Sequence, residues 1–556
     1  MKPFLRLPPA RLLLLAALAA ALPAPSPWAQ SAPPATANGS NAVRLPALGD
    51  TASDDISVGS ERRLGNQIMA EVRRDPAYLD DPLLLDYLQL LWQPLVAAAR
   101  ARGHIGPDVD TAFAWESFLV RDRSVNAFAL PGGFVGVHLG LMAMTATPDE
   151  LASVLAHELS HVTQRHIARS IASANRQSMV GMAAMLLGVL AASRAGSPDM
   201  AQAAVVGSQA AMAQGQLNFS RDMEREADRI GWGVYADAGF APAGVAVMFE
   251  RLDQANRLDS GAYPYLRSHP LTVDRIGEAR SRVEAAGGAR LPPTPPLMHM
   301  LMQARARALM DTGVQALRRA QGSDLTPLAD GPERVAALYA SAVASLELRE
   351  PARAQAALDQ GAALARRVAP GDRGAAFAFA LLQAQAWQAS AQAPRALELL
   401  DAQRGSLPPA LARAFLMARA QAALDTGRGG AAATAVRPSA EALQTWVAER
   451  RGDALAWTLL AQANEQLGLK LRSLRAQAEA QAALGDLQGA IDRLRAGQRE
   501  ARSGAAPDFV EASVIDARLR DLTAQRRALL PPGRGARGDG REGKDGGDER
   551  PPWVAR

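Results

Sequence analysis

The segment Thr147–Ala168, T-P-D-E-L-A-S-V-L-A-H-E-L-S-H-V-T-Q-R-H-I-A, places the tightest demand on how this chain folds. It begins like a helix. Thr147 can accept hydrogen bonds from the free N–H groups of a first turn, Pro148 suits the first helical position, and Glu150 completes a capping box. Leu151, Leu155, Leu159 and Val162 recur on one face and anchor the helix in a core. His157 and His161 lie four residues apart and point the same way, roughly opposite that stripe, with Glu158 beside the first. Two imidazoles on one helix face suit one zinc ion, and the adjacent carboxylate suits removal of a proton from water at that metal. A zinc that does chemistry wants three protein ligands and an open position. The third ligand has to come from elsewhere in the chain.

There is no cysteine, so that ligand is a histidine, an aspartate or a glutamate. The extended pattern H-E-x-x-H-x-x-G-x-x-H is excluded, because Gln164 replaces its glycine and Ile167 its last histidine. The segment Phe219–Gly239 offers a carboxylate instead. Glu224 and Asp228 share a helix face there, so one can ligate while the other orients a ligating imidazole. Glu226 is turned away by about half a turn.

At 556 residues the chain is too long for one core. Its formal charge of +5 is small for that length, and no basic block is interleaved with aromatics, which argues against nucleic acid as a partner. Alanine and arginine dominate, and aromatics at 5% favour helices over sheet. Lys2, Arg6 and Arg11, the apolar run Leu12–Leu22 and small residues up to Ala29 predict a secretory signal peptide over residues 1–29. The apolar run is about half of what spans a bilayer, and no cysteine follows it to carry a lipid.

Residues 30–44 read as a disordered tail, 45–290 as the metal-site domain and 291–297 as a stiff proline-rich linker. Residues 298–530 read as alanine-rich helical repeats, and 531–556 as a second disordered tail. Within the first domain, helices are expected from Asp55 to Arg74 and from Asp81 to Arg102, and a strand over Ala112–Val120. Pro131, Gly132 and Gly133 mark a turn between two short apolar strands. From spacing alone these form an ordinary hairpin against the metal helix; a strand there can also receive an extended peptide along its edge. Met179–Ala192 is short for a membrane span and reads equally as a buried helix or as a lid over the metal cleft. His269 sits in a proline-bounded loop, where a lone histidine is usually solvated, and His104, His138, His166 and His299 show no ligand spacing and read as structural or surface residues. In the helical half, Leu467-Gly468 and Leu484-Gly485 recur at seventeen residues, half of a tetratricopeptide period. The fold class is therefore α+β and mostly helical: a zincin-like metallopeptidase domain followed by an α-helical, tetratricopeptide-type solenoid with degenerate repeats.

N-A-F-A-L-P-G-G, then H-E-L-S-H-V-T-Q-R-H, then E-R-E-A-D-R-I-G, then S-H-P, followed by helical repeats behind a signal peptide, resembles the periplasmic M48-type metallopeptidases. The resemblance covers Leu45 to Arg282 strongly and the helical half in layout. It implies one zinc per chain held by His157, His161 and Glu224, with Glu158 as general base and Asp228 orienting a ligand. It further implies that the strand Asn126, Ala127, Phe128 and Ala129 holds substrate, that His269 can occupy the metal's open position, and that Met179–Ala192 belongs to a plug. The implied work is quality control of outer-membrane proteins, with unfolded or stalled barrel proteins as substrates. The barrel-assembly machinery would be the docking partner of the repeats, with peripheral association with the membrane. The degenerate repeats and the charged tail depart from that pattern at the docking end. The reading from another class is a chaperone or scaffold in which zinc only holds the domain together.

Overall fold

The computed structural model describes residues 56–173, 221–258, 264–288, 296–427, 432–503 and 508–529. The expected leader and tails, the Met179–Ala192 run and most of the linker lie outside the described residues. Two capped helices open the fold. In α1 (Val58–Val72) the Ser57 hydroxyl accepts from Ser60 N, and in α2 (Pro82–Ala101) the Asp81 carboxylate accepts from Leu84 N. They match the expected helices at both ends to within a few residues.

The sheet is small and mixed. Its strands are β1 (Tyr78–Leu79), β2 (Glu116–Val120), β3 (Ala127–Leu130) and β4 (Phe134–His138), in the spatial order β1-β2-β4-β3. β2 runs parallel to β4, with Glu116 opposite Phe134, while β3 and β4 form the expected hairpin, with Phe128 opposite Gly136. The expected strand over Ala112–Val120 is shorter than the alternation predicts. Ala112 ends the helix α3 (Pro107–Ala112), Trp115 takes a positive φ of 49°, and its carbonyl accepts from Trp92 Nε1 at 2.8 Å. Anchoring Trp115 to α2 sets where pairing with β4 can begin.

After β4 come α4 (Leu139–Met144), the metal helix α5 (Pro148–Thr163), α6 (His166–Ser173), α7 (Arg221–Asp237), α8 (Ala243–Leu258), α9 (Pro264–Ser268) and α10 (Val273–Ala285). Leu151, Leu155 and Leu159 of α5 are wholly buried in one apolar cluster with Leu84 and Trp92 of α2, Val135 and Val137 of β4, and Tyr235 of α7. Each such side chain contributes about 1.5–3 kcal/mol, so α5 is held rigidly wherever its polar face points. The same cluster runs on through Leu301 and Met302 of α11 (Leu297–Leu309) to Tyr339 and Phe377.

Several polar contacts tie α11 to this frame, and two of its residues make them from buried positions. Arg305 pairs with Asp81, and His299 bridges the Tyr87 hydroxyl (2.5 Å) and the Thr145 carbonyl (3.0 Å). Burial pushes His299 down to about 4 from its ordinary 6.5. Acid therefore weakens the fold here: the unfolded chain takes up a proton near 6.5, while folded His299 resists down to about 4. The stability concerned is present at neutral pH and is lost as pH falls through that window, by at most roughly 3 kcal/mol. Urea midpoints at several pH values should show a shallower acid decline for His299→Gln than for the parent. Parallel declines would refute this.

Beyond α11, each helix packs chiefly on its sequence neighbours, among them Pro332–Glu347 on Pro351–Val368 and Ala454–Gln466 on Lys470–Ala483. Leu467-Gly468 and Leu484-Gly485 close the last two of these helices, which explains their recurrence. Two smaller cores follow in chain order, around Trp457 and Leu460 and then around Ile491 and Ile515. Neighbour-by-neighbour packing of this kind is that of a helical solenoid.

Candidate metal centre

The metal helix starts as its sequence predicts, with one difference. Thr147 Oγ1 accepts from Glu150 N at 3.2 Å, but the Glu150 carboxylate reaches Ala146 N rather than the cap residue and is also held by Arg251. α5 is buried on its polar face as well as its apolar one: His157, Glu158 and His161 are all buried, beneath α7. The two helices approach closely at Gly231, where a Cβ would stand 3.1 Å from the Ala156 carbonyl. Glu224, Asp228 and Gly231 follow at helical spacing, so the contact that admits only a small residue also aims both carboxylates at the histidines.

The site brings together most of the predicted residues. His157 Nε2 lies 3.0 Å from His161 Nε2 and 3.4 Å from Glu224 Oε2, and His161 Nε2 lies 3.4 Å from Glu224 Oε1. Asp228 is set back and accepts from His157 Nδ1 at 3.0 Å. Glu226 faces away, as expected from its offset, towards His166 and Arg169. His269 is not a solvated loop residue. It follows α9, donates its backbone N–H to the Tyr265 carbonyl, and is buried with its ring Nδ1 2.9 Å from Glu224 Oε1 and 3.3 Å from His157 Nε2. The Tyr265 ring packs on the His269 ring at 4.8 Å.

Arg275 and His166 are the residues that spacing missed. Arg275 of α10 grips Asp228 through Nε (2.6 Å) and Nη2 (2.8 Å) and reaches Glu224 Oε2 at 3.0 Å. His166, wholly buried, meets His161 Nδ1 through its own Nδ1 at 2.8 Å and Glu226 Oε2 through Nε2 at 3.1 Å. The run H-E-x-x-H-x-x-x-x-H was visible, but a separation of five residues across a helix end carries no directional signal. Of the other histidines, His138 bonds Ser124 Oγ, His299 serves the α11 contact, and His104 stands apart from the cluster.

The charges are strongly coupled. Burial opposes the charged form of His157, but Asp228 and Glu224 accept from it and hold it up at about 10. His161 is pushed well below its ordinary range, first by burial and then by the neighbouring His157 and His269. Burial would raise the two carboxyls. The imidazoles around Glu224 outweigh that and hold it far below the carboxylate range, and His157 with Arg275 brings Asp228 down to about 2. Burial also lowers His166 to about 4, against a partial lift from Glu226.

Donor atoms of His157, His161, Glu224 and His269 all lie within 4.8 Å of one another. Among the described residues, both oxygens of Glu158 are buried without a hydrogen-bond partner, and Glu158 comes nearest to His269 Nε2, at 3.4 Å, while Glu224 Oε2 is met by Arg275. Orphaned buried oxygens are costly unless something satisfies them. Imidazoles with one carboxylate oxygen are the donor set of zinc, so the residues fit that ion. The predicted substrate strand adjoins the site: Val125 O, just ahead of Asn126, accepts from Tyr265 N, and β3 is one of the two outer strands of the sheet order.

Residues 101–283 match the model of Peptidase family M48. A putative beta-barrel assembly-enhancing protease of Vibrio cholerae is 38% identical over 251 residues, 45% of this chain and 50% of the relative. The beta-barrel assembly-enhancing protease of Escherichia coli is 35% identical over 242 residues, 44% of this chain and 47% of the relative. The mitochondrial metalloendopeptidase OMA1 of Schizosaccharomyces pombe is 30% identical over 240 residues, 40% and 61% of the two chains. The chain thus spans about half the length of the bacterial relatives it matches. The matched segment contains the buried cluster entire, and the chain carries a peptidase domain of family M48.

Proposed function

We propose that this protein is an exported zinc endopeptidase that acts on outer-membrane proteins in the periplasm. The observation that carries the reading is the buried His157–His161–Glu224 donor set beside Glu158, whose oxygens accept no hydrogen bond, inside a family M48 domain. Zinc bound there supplies Lewis acidity towards a scissile carbonyl and towards water. Glu158 takes the proton of the attacking water and passes it to the leaving amine. Asp228, clamped by Arg275, holds the His157 ring with Nε2 turned towards His161 and Glu224, where it would ligate the metal. The strand Asn126–Ala129 would receive the substrate backbone as an added strand.

The bacterial relatives are named for beta-barrel assembly, which supports unfolded or stalled barrel proteins as substrates and the barrel-assembly machinery as the partner of the helical solenoid. The predicted signal peptide supports the compartment. No helix among the described residues is long and apolar enough to cross a membrane. Metal analysis and casein cleavage test the core of the proposal: one zinc per chain, with cleavage lost to a chelator and restored by zinc, is the expected result. A chain that holds no zinc would overturn it.

His269 completes a set of four donors, and a closed set leaves no position for water. This favours a latent resting state in which His269 has to move before turnover. His269→Ala should raise casein cleavage on the order of tenfold, equivalent to removing about 1.4 kcal/mol from an opening step. Unchanged or lower cleavage with zinc retained would refute the latch. The same closed set is what a purely structural zinc would use, which keeps the scaffold reading as the alternative.

A further inference from the structure

We infer that His166 and Glu226 form a relay that fixes the tautomer and orientation of His161 as a metal ligand. The inference rests on the zinc reading above and assigns two residues outside the four-donor set that act through His161, so both are positioning residues.

The direction of each hydrogen bond follows from chemistry. Glu226 is a carboxylate, held by Arg169 Nη1 at 2.7 Å, and can only accept. His166 Nε2 must therefore carry the proton it donates to Glu226 Oε2 at 3.1 Å. A neutral imidazole has one N–H, so His166 Nδ1 presents a lone pair to His161 Nδ1 at 2.8 Å. His161 Nδ1 then has to be the donor, which leaves its Nε2 bare. That nitrogen is the one turned towards His157 Nε2 and Glu224 Oε1. The opposite assignment would put a proton on His161 Nε2, where a metal has to bind.

The backbone is arranged to put His166 in this place. α5 ends at Thr163 and α6 begins at His166, and Arg165 between them takes a left-handed φ of 50°, unusual for a residue with a side chain. Arg165 is held there by Glu61 Oε2 at 2.8 Å and the Ile56 carbonyl at 2.6 Å. The reversal carries the His166 ring back against His161, centroids 4.8 Å apart and planes at 74°. His157 is served differently, by the carboxylate of Asp228 directly. Glu226 is partly solvated, at 27% side-chain exposure, and the His166 ring spans the gap between that rim and the buried ligand.

The test measures zinc affinity of the full chain, stripped of metal, by competition with a chromogenic chelator. The visible spectrum of the cobalt(II) form is read alongside. His166→Phe fills the space without an acceptor, whereas His166→Gln keeps an oxygen to accept from His161. His166→Phe should weaken zinc binding by about 10–100-fold and alter the cobalt spectrum, and His166→Gln should recover most of the loss. Glu226→Ala, at the rim and without risk to the interior, should weaken binding by a smaller factor. Affinities of both His166→Phe and Glu226→Ala within about twofold of the parent would overturn the relay, as would Phe binding better than Gln. A parent chain that takes up no zinc would overturn the metal site itself, a result distinguishable from failure of the relay alone.

Discussion

Glu158→Gln should abolish peptide cleavage while leaving one zinc on each chain. Glutamine has the shape of glutamate but cannot take a proton at neutral pH, so the substitution removes a base and little else. Glu158 directly follows His157 of the donor set in α5 and is wholly buried, and no described residue hydrogen-bonds its oxygens. A buried carboxylate without a structural partner destabilises the fold, and such groups persist where chemistry uses them. The loss of general base catalysis should reduce turnover by about 10²–10⁴-fold. Because the parent is expected to be latched, cleavage should be compared in the His269→Ala background as well. Melting temperature should hold or rise, since no hydrogen bond to Glu158 is lost. Cleavage within about tenfold of the parent, with zinc in place, would remove Glu158 from the mechanism. Retained zinc with an unchanged biological phenotype would favour the scaffold reading.

Breaking the Asp81–Arg305 pair should unfold the junction between the peptidase domain and the helices that follow. Asp81 is 8% exposed and Arg305 6%, so both ions are out of water. Asp81 accepts from Arg305 Nε at 3.0 Å and Nη2 at 2.7 Å, and one of its oxygens also caps α2 through Leu84 N. Arg305→Met removes one partner and leaves the other charge buried, which costs about 3–5 kcal/mol. Adding Asp81→Ser keeps a capping hydroxyl and removes the orphaned charge, so the double variant should be the more stable of the two. Thermal melts of the parent, both single variants and the double variant give the coupling. A loss below about 1 kcal/mol for Arg305→Met would show that the pair is only as strong as a surface one.

Local pattern made the helical parts of the site legible. The threonine cap, the leucine stripe of α5 and the four-residue spacings His157–His161 and Glu224–Asp228 are properties of one helix each. A 3.6-residue period makes such relations readable before any tertiary contact exists. The β3–β4 hairpin was readable for a similar reason, since Pro131–Gly133 can only turn. The alternation over Ala112–Val120 misled because strand pairing is decided by a partner. Trp92 claims the Trp115 carbonyl, and β2 can begin only after it.

The sequence by itself determined which groups this chain can offer: two imidazoles and a carboxylate on one capped helix, a carboxylate pair on another, and no thiolate. Only the tertiary structure decided which groups surround them. It buried His269 in the metal cluster, set Arg275 behind Asp228, and turned the chain at Arg165 so that His166 backs His161. It also carried the peptidase core into the following helices through His299 and Arg305. These groups lie on separate elements or across a helix end, where no period relates one side chain to the next. Their meeting is set by how whole faces pack, and only the folded chain contains that information.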